Sequence, residues 1–391
     1  MKLLKKLLSA VLCALIISST AVNVNALGLL NPVKGDADMN GRISVNDARI
    51  VLRAAVGLHR PPSFRKTFYD MDGDGKITAA DARKILRTAV GLKDPVKETK
   101  EEKTNRLIKA ISKDELSGHM NSLCSIGSRS VLFPKNNKKA ADYIVSETKK
   151  LGYDPKYQNF TYNGIATQNI TLNIGKTDGQ GKILLLSAHY DCYDGSAGAI
   201  DNASGVAALL HILKIIKENK ISFSCEVRVA FFSAEEMGYH GAYHYLSKLS
   251  AAEKNRLRVF NVDMAGHSKL GGGKLIAVST DSAYGSNAKP NEISKAVDNA
   301  KSFLGNLGED GYYSPVAAGI HDLIPFKKLG IPVITLSWRE IRPAGSLGSD
   351  FGLASPSQIH TASDSLRNFD TASLYNTTKL ILASLILSFT E

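Results

Sequence analysis

The sequence predicts an α/β domain whose mixed, mostly parallel sheet is covered by helices on both faces, preceded by a small all-α module. Three observations carry this expectation. From about residue 105 onward, short continuous apolar runs alternate with helical stretches, the pattern of strands buried on both faces. Near the front, a 23-residue segment occurs twice. Acidic and imidazole side chains collect where the apolar runs stop, at the strand ends where open α/β sheets bind ligands.

At 391 residues the chain has room for one large domain and a smaller one. Lys2, Lys5 and Lys6 precede an apolar run from Leu7 to Ile17, and Val24-Asn25-Ala26 offers small residues for cleavage. Residues 1–26 are therefore expected to be a secretory signal peptide, with an apolar core too short to span a bilayer. Its three lysines, taken from a formal charge of +12, leave +9. That charge is spread along the chain, which argues against nucleic-acid binding and for ordinary solubility with some attraction to anionic surfaces. Cys124, Cys192 and Cys225 permit one disulfide at most. No Cys-x-x-Cys pair exists, so a thiolate metal site is not expected.

The duplicated segments begin at Asp36 and Asp70, share 13 of 23 positions and lie 34 residues apart. Each places oxygen-bearing residues at alternate loop positions: Asp36, Asp38, Asn40, Ser44 and Asp47, then Asp70, Asp72, Asp74, Thr78 and Asp81. Gly41 or Gly75 takes the sharp turn, and Arg42 or Lys76 offers a backbone carbonyl. This pattern suits calcium, which takes six to eight oxygen ligands. Asp/Asn/Gly clusters also make plain turns, but two copies in one register, each entering an amphipathic helix, favour the ion.

Residues 34–94 resemble a dockerin domain, two loop–helix repeats each holding one calcium ion. The acids at position 12 are Asp where a complete EF-hand has Glu, and Pro32 and Gly35 stand before the first loop in place of a helix. The resemblance implies docking to a cohesin domain of a scaffold, as in cellulosome-type complexes. Val45-Asn46 and Ala79-Ala80 occupy the positions that select the cohesin partner. Residues 95–104 are charged and lack apolar periodicity, and are expected to be a solvated linker before a domain over 105–391.

Within that domain, the runs around Leu184–Leu186, Val227–Phe232, Val259–Val262 and Val333–Leu336 predict strands. Residues 140–152 and 205–219 predict helices, and the apolar tail at 371–389 predicts a helix packed on the core, too short to span a membrane. His189 and Asp191, Glu235 and Glu236, and Asp263 each follow a predicted strand. Asp201 stands where a loop enters a helix, the position of an N-cap. His360 lies in a late loop. Gathering so many carboxylates in one crevice is costly without positive charge, and a divalent cation supplies it. Imidazole and carboxylate together suit zinc.

The ordered motifs HxD, DNASG, EE, NVDMAG and IHTxxD resemble the co-catalytic di-zinc aminopeptidase superfamily, which includes certain carboxypeptidases and glutaminyl cyclases. The resemblance implies that His189, Asp201 and Asp263 hold one zinc ion. Asp201 would bridge to a second, completed by Glu236 and His360, with Asp191 supporting the site from behind and Glu235 as general base. It thus implies a secreted zinc exopeptidase acting on peptides, most simply an aminopeptidase. A glutaminyl cyclase or carboxypeptidase of the same superfamily, or a scaffold-bound binding protein with a decayed site, are the alternatives. One departure stands out: Ile320-His321-Asp322-Leu323 replaces a Ser-Asp-His pattern of the superfamily. Residues 281–295 and 339–358 are candidate pocket walls. Arg339 and Arg342 could bind a substrate carboxylate, although surface arginines are commoner. His211, His240, His244 and His267 fit no ligand position.

Overall fold

The computed structural model describes residues 33–92, 98–175, 179–270, 273–279, 291–305, 323–341, 349–350, 353–354 and 356–391. The expected signal segment, Ile320–Asp322, Arg342 and most of residues 281–295 lie outside them. The chain divides into two compact units, with the boundary in sequence between Lys97 and Glu98.

In the front unit each duplicated loop feeds a helix, α1 (Val45–Ala55) and α2 (Ala79–Ala89). Ser44 and Thr78 start them: each hydroxyl accepts a first-turn N–H, while Asp47 or Asp81 accepts the N–H of the cap residue. This reciprocal capping satisfies donors that a helix start leaves open. It also explains why Asp47 and Asp81 are fully buried. Ala48, Val51, Ala82, Ile85 and Tyr69 close a small core between the repeats.

The large unit begins earlier than the composition implies. Helix α3 (Lys100–Ile108) lies mostly inside the expected linker, started by a Thr99–Glu102 capping box. Its Thr104 and Leu107 are buried, and Lys100 Nζ donates to the Thr390 carbonyl at 2.7 Å. Two buried positions among charges were enough to anchor a helix that the charge density disguised. Helices α4 (Lys113–Cys124) and α5 (Pro134–Lys150) follow.

The sheet comprises β1 (Lys156–Tyr162), β2 (Ile165–Asn173), β3 (Ile183–His189), β4 (Glu226–Phe232), β5 (Leu257–Val262), β6 (Lys274–Ser279), β7 (Val333–Ile341), β8 (Ser349–Asp350) and β9 (Leu353–Ala354). Their order is β1-β2-β4-β3-β5-β7-β9-β8, with β6 paired to β7. The four strands expected from apolar runs form the parallel centre, β4-β3-β5-β7. The other pairings are antiparallel. The β1–β2 hairpin was not anticipated. Its signal was Asn163-Gly164, at φ +46° and +79°, the dipeptide that a two-residue hairpin turn favours.

Both faces of the centre are buried, as continuous apolar strands require. On β3, Leu184 and Leu186 pack in one core with α6 (Ser204–Glu218), α8 (Glu292–Leu304) and α9 (Thr371–Phe389). Ile183 and Leu185 face the other way, towards Ala242, Tyr245 and Leu246 of α7 (His240–Ser247). The apolar tail is α9, whose Leu374, Ile381, Leu385 and Ile386 are fully buried in the core.

Candidate metal centre

The parallel strands end together, and the expected ligands gather at that edge. His189 closes β3, Glu235 and Glu236 follow β4, and Asp263 follows β5. Asp201 arrives on the crossover from β3 to α6, and His360 on the loop before α9. His189 Nε2 lies 3.1 Å from Asp201 Oδ1 and 3.2 Å from Asp263 Oδ1. His360 Nε2 lies 3.3 Å from Asp201 Oδ2 and 3.0 Å from Glu236 Oε2. Asp201 thus turns one oxygen to each imidazole. It is not the cap of α6, whose cap residue is Ala203 and which has no side-chain cap; at φ −116° and ψ 90° Asp201 is outside helical geometry.

The adjacent glutamates are aimed by backbone turns. Ala234 sits at φ +55°, Met264 at +58° and His360 at +60°, a left-handed region where a β-carbon is unfavourable. These reversals fall just before Glu235, just after Asp263 and at His360 itself. Asp191, fully buried, secures the turn: its Oδ1 accepts from the Glu235 N–H at 3.2 Å and its Oδ2 from the Glu236 N–H at 3.3 Å. Asp191 Oδ1 also lies 3.4 Å from His189 Nδ1, an ion-pair distance without hydrogen-bond geometry.

Ligand atoms of His189, Asp201 and Glu236 lie within 4.8 Å of one another, as do those of His189, Glu235 and Asp263. Proximity therefore brings Glu235 within ligand reach too. The electrostatics demand positive charge. Burial pushes Glu236 up to about 7, Asp201 adding to the shift and the bond to His360 opposing it. Bonds to Asp201 and Glu236 hold His360 up at about 10. Burial alone would lower His189, but Glu235 and Asp263 outweigh it and hold the imidazole well above its ordinary value. Glu236 Oε1 is buried with no hydrogen-bond partner among the described residues. An unsatisfied carboxylate oxygen beside two imidazoles that gather protons fits a divalent cation.

This has a measurable consequence. Cation uptake must displace protons from His189 and His360, so affinity should rise with pH towards His360's value of about 10. Calorimetric titrations in buffers of different ionisation enthalpy should show protons released per cation bound. Uptake without proton release would contradict this geometry.

The remaining histidines are occupied elsewhere. His211 accepts from the Ser112 N–H at 2.9 Å, and His240, His244 and His267 pack against Tyr162, Phe160 and Trp338. Arg339 is not at the surface. It is 4% exposed, and Asp263 and Asp201 partly offset the fall that burial imposes on its guanidinium. Cys124, Cys192 and Cys225 are all unbridged. Sequence reasoning gave no role to Arg129, nor to Asp364, quoted only as the last letter of IHTxxD; both touch the Asp201 loop.

In the front unit, carboxylate oxygens of Asp36, Asp38 and Asp47 lie within 4.8 Å of one another, as do those of Asp70, Asp72 and Asp81. Gly41 and Gly75, at φ +86° and +82°, make the sharp turn and donate to Asp36 Oδ2 and Asp70 Oδ2. Asn40 and Asp74 accept from the N–H groups of Arg42 and Lys76. Ser44 Oγ and Thr78 Oγ1 donate to Asp47 and Asp81. Val45, Asn46, Ala79 and Ala80 are exposed at the helix starts.

Comparison with known proteins agrees with both units. The sequence profile of peptidase family M28 matches residues 169–385, and that of the dockerin type I domain matches residues 34–88. Leupeptin-inactivating enzyme 1 of Streptomyces exfoliatus is 26% identical over 243 residues, covering 61% of this chain and 52% of that protein. Aminopeptidase YwaD of Bacillus subtilis is 30% identical over 157 residues, covering 40% of this chain and 32% of its own. The chain thus spans about half of the first relative and about a third of the second. Among solved structures, a zinc aminopeptidase from Bacillus subtilis superposes with a TM-score of 0.61 at 18% identity, over 72% of this chain and 96% of that one. A glutaminyl cyclase from Macrostomum lignano gives 0.58 at 19% identity, over 75% and 95%.

Proposed function

The chain belongs to peptidase family M28, and from that premise we propose that it is a secreted di-zinc aminopeptidase carried on a scaffold by its dockerin. The observation that carries the reading is Asp201, placed with one oxygen towards His189 and the other towards His360. His189, Asp201 and Asp263 would hold one zinc ion, and Asp201, Glu236 and His360 a second. When bound, the ions would polarise the scissile carbonyl, acidify water and receive the free amino group of the substrate. Glu235 takes the proton of the attacking water and returns it to the departing amine. Asp191 keeps Glu235 and Glu236 apart in task by holding both backbone amides.

Peptides with free, N-blocked and C-amidated ends, each with and without a zinc chelator, test the reaction. Cleavage is expected for free and C-amidated peptides only, and lost on chelation. Cleavage of N-blocked peptides that fails on C-amidation would replace this reading with a carboxypeptidase, for which Arg339 is a nearby cation. The shared fold with a glutaminyl cyclase makes ammonia release from an N-terminal glutaminyl peptide the second assay, and its appearance without hydrolysis would favour cyclisation.

In the front unit we place two calcium ions, one in each repeat, and a cohesin on the exposed starts of α1 and α2. Calcium titrated into the zinc-loaded full chain should raise helicity and permit capture by a cohesin. The small core of this unit gives little independent stability. Unchanged helicity and capture without calcium would contradict the assignment.

A further inference from the structure

Arg129 is completely buried, and the hydrogen bonds of its guanidinium among the described residues go to backbone carbonyls. A guanidinium in that state is costly unless its donors are spent well. All three of its nitrogens donate to the loop that follows β3, and Nη1 also reaches the Leu123 carbonyl of α4 at 3.5 Å. Nε donates to the Tyr190 carbonyl at 2.8 Å, Nη1 to Ala197 at 2.6 Å and Nη2 to Gly198 at 3.0 Å. Asp364 grips the same loop through its amides, accepting from the Ile200 N–H at 2.6 Å and the Asp201 N–H at 3.2 Å. A guanidinium thus holds the carbonyls of Ala197 and Gly198, and a carboxyl group the amides of Ile200 and Asp201, within five residues of chain that end at Asp201.

The fit leaves no slack. Gly198 stands at φ +58°, and a β-carbon there would meet Cys192 Cβ at 2.3 Å, the Asp201 carbonyl at 2.6 Å and Arg129 Nη2 at 2.7 Å. The Arg129 carbonyl accepts from Asn137 Nδ2 at 2.9 Å, and Asn137 Nδ2 also lies 3.0 Å from Ser233 Oγ, two residues before Glu235. Asp364 lies four residues beyond His360, so its grip also ties the His360 loop to the crossover.

We propose that Arg129 and Asp364 are positioning residues that hold the Asp201 carboxylate in its bridging place between His189 and His360. The inference rests on the metal-centre reading above. A lysine at position 129 keeps the charge but has no planar fork to reach three carbonyls at once. An asparagine at position 364 keeps the shape but only one accepting oxygen.

The test uses the full-length wild type, Arg129→Lys, Asp364→Asn and the double variant. Zinc affinity is read by competition with a chromophoric chelator, and site geometry by the visible spectrum of the cobalt(II)-loaded protein. Thermal unfolding of the chelated proteins reports folding. Both single variants are expected to fold, to bind zinc about ten- to hundred-fold more weakly, the range for outer supports of metal ligands, and to shift the cobalt spectrum. The double variant should bind about as weakly as the worse single one, because both residues hold one loop. Unchanged affinity and spectrum in a folded variant would overturn the inference while leaving the metal centre intact. If Arg129→Lys fails to fold, Asp364→Asn decides the matter alone. A wild type that takes up no zinc overturns the metal centre and this inference with it.

Discussion

Glu235→Gln is expected to retain full zinc content and lose peptide turnover by about a hundred- to ten-thousand-fold, the range for removing a general base. Glutamine matches the shape of glutamate, and the backbone bond from residue 235 to Asp191 does not depend on the side chain. What disappears is the proton acceptor. Loss of this charge also removes the first support of a protonated His189, which favours the neutral imidazole that binds a cation. Metal analysis and kcat on one preparation check both halves. Turnover within a few-fold of wild type would return Glu235 to the ligand set that its proximity to His189 and Asp263 also permits.

Glu236→Ala is expected to do the opposite, dropping the zinc content by one ion per chain. The site would keep Asp201 and His360, without the carboxylate that lies 3.0 Å from the imidazole. The stability effect should change sign with metal. In the chelated protein the wild-type carboxylate is a burden, its pKa raised to about 7 by burial. Protonation relieves that burden as pH falls, so the alanine variant should gain on wild type only as pH rises above the ordinary carboxylate range. With zinc at a hundred times its dissociation constant, wild type gains about 2.7 kcal/mol per site from binding to the folded state alone, and the variant loses that for one ion. Melting curves with and without chelator read both signs. Unchanged zinc content would overturn the division of labour between the two glutamates.

The parts that could be read in the sequence are those where chemistry and period coincide. Leu184–Leu186, Phe231-Phe232 and Val259–Val262 are buried on both sides, so apolar continuity exposed them, and the candidate ligands stand within three residues of each run's end. Asp201 was ambiguous because an acid before a helix has the same local look whether it caps or bridges; only the approach of His189 and His360 separates the two. Helix α3 was hidden by its charge, since Thr104 and Leu107 are too few to show a period. The hairpin was signalled by Asn163-Gly164, but no side chain of β1 is fully buried, and a polar Gln158 shares its inner side with Phe160 and Tyr162, so the sequence shows no clean apolar alternation. Arg129 left no trace for a different reason. Its partners are backbone carbonyls, which every residue carries, so no pattern of side chains could point to it.

Zinc stoichiometry tests the central claim most directly, because a carboxylate that bridges two imidazoles is needed only if two cations lie side by side. Calorimetric titration of zinc into the chelated full-length chain, at saturating calcium, should reach two equivalents per chain, with Asp201→Asn weakening both. A single equivalent, or two that are indifferent to Asp201, would contradict it.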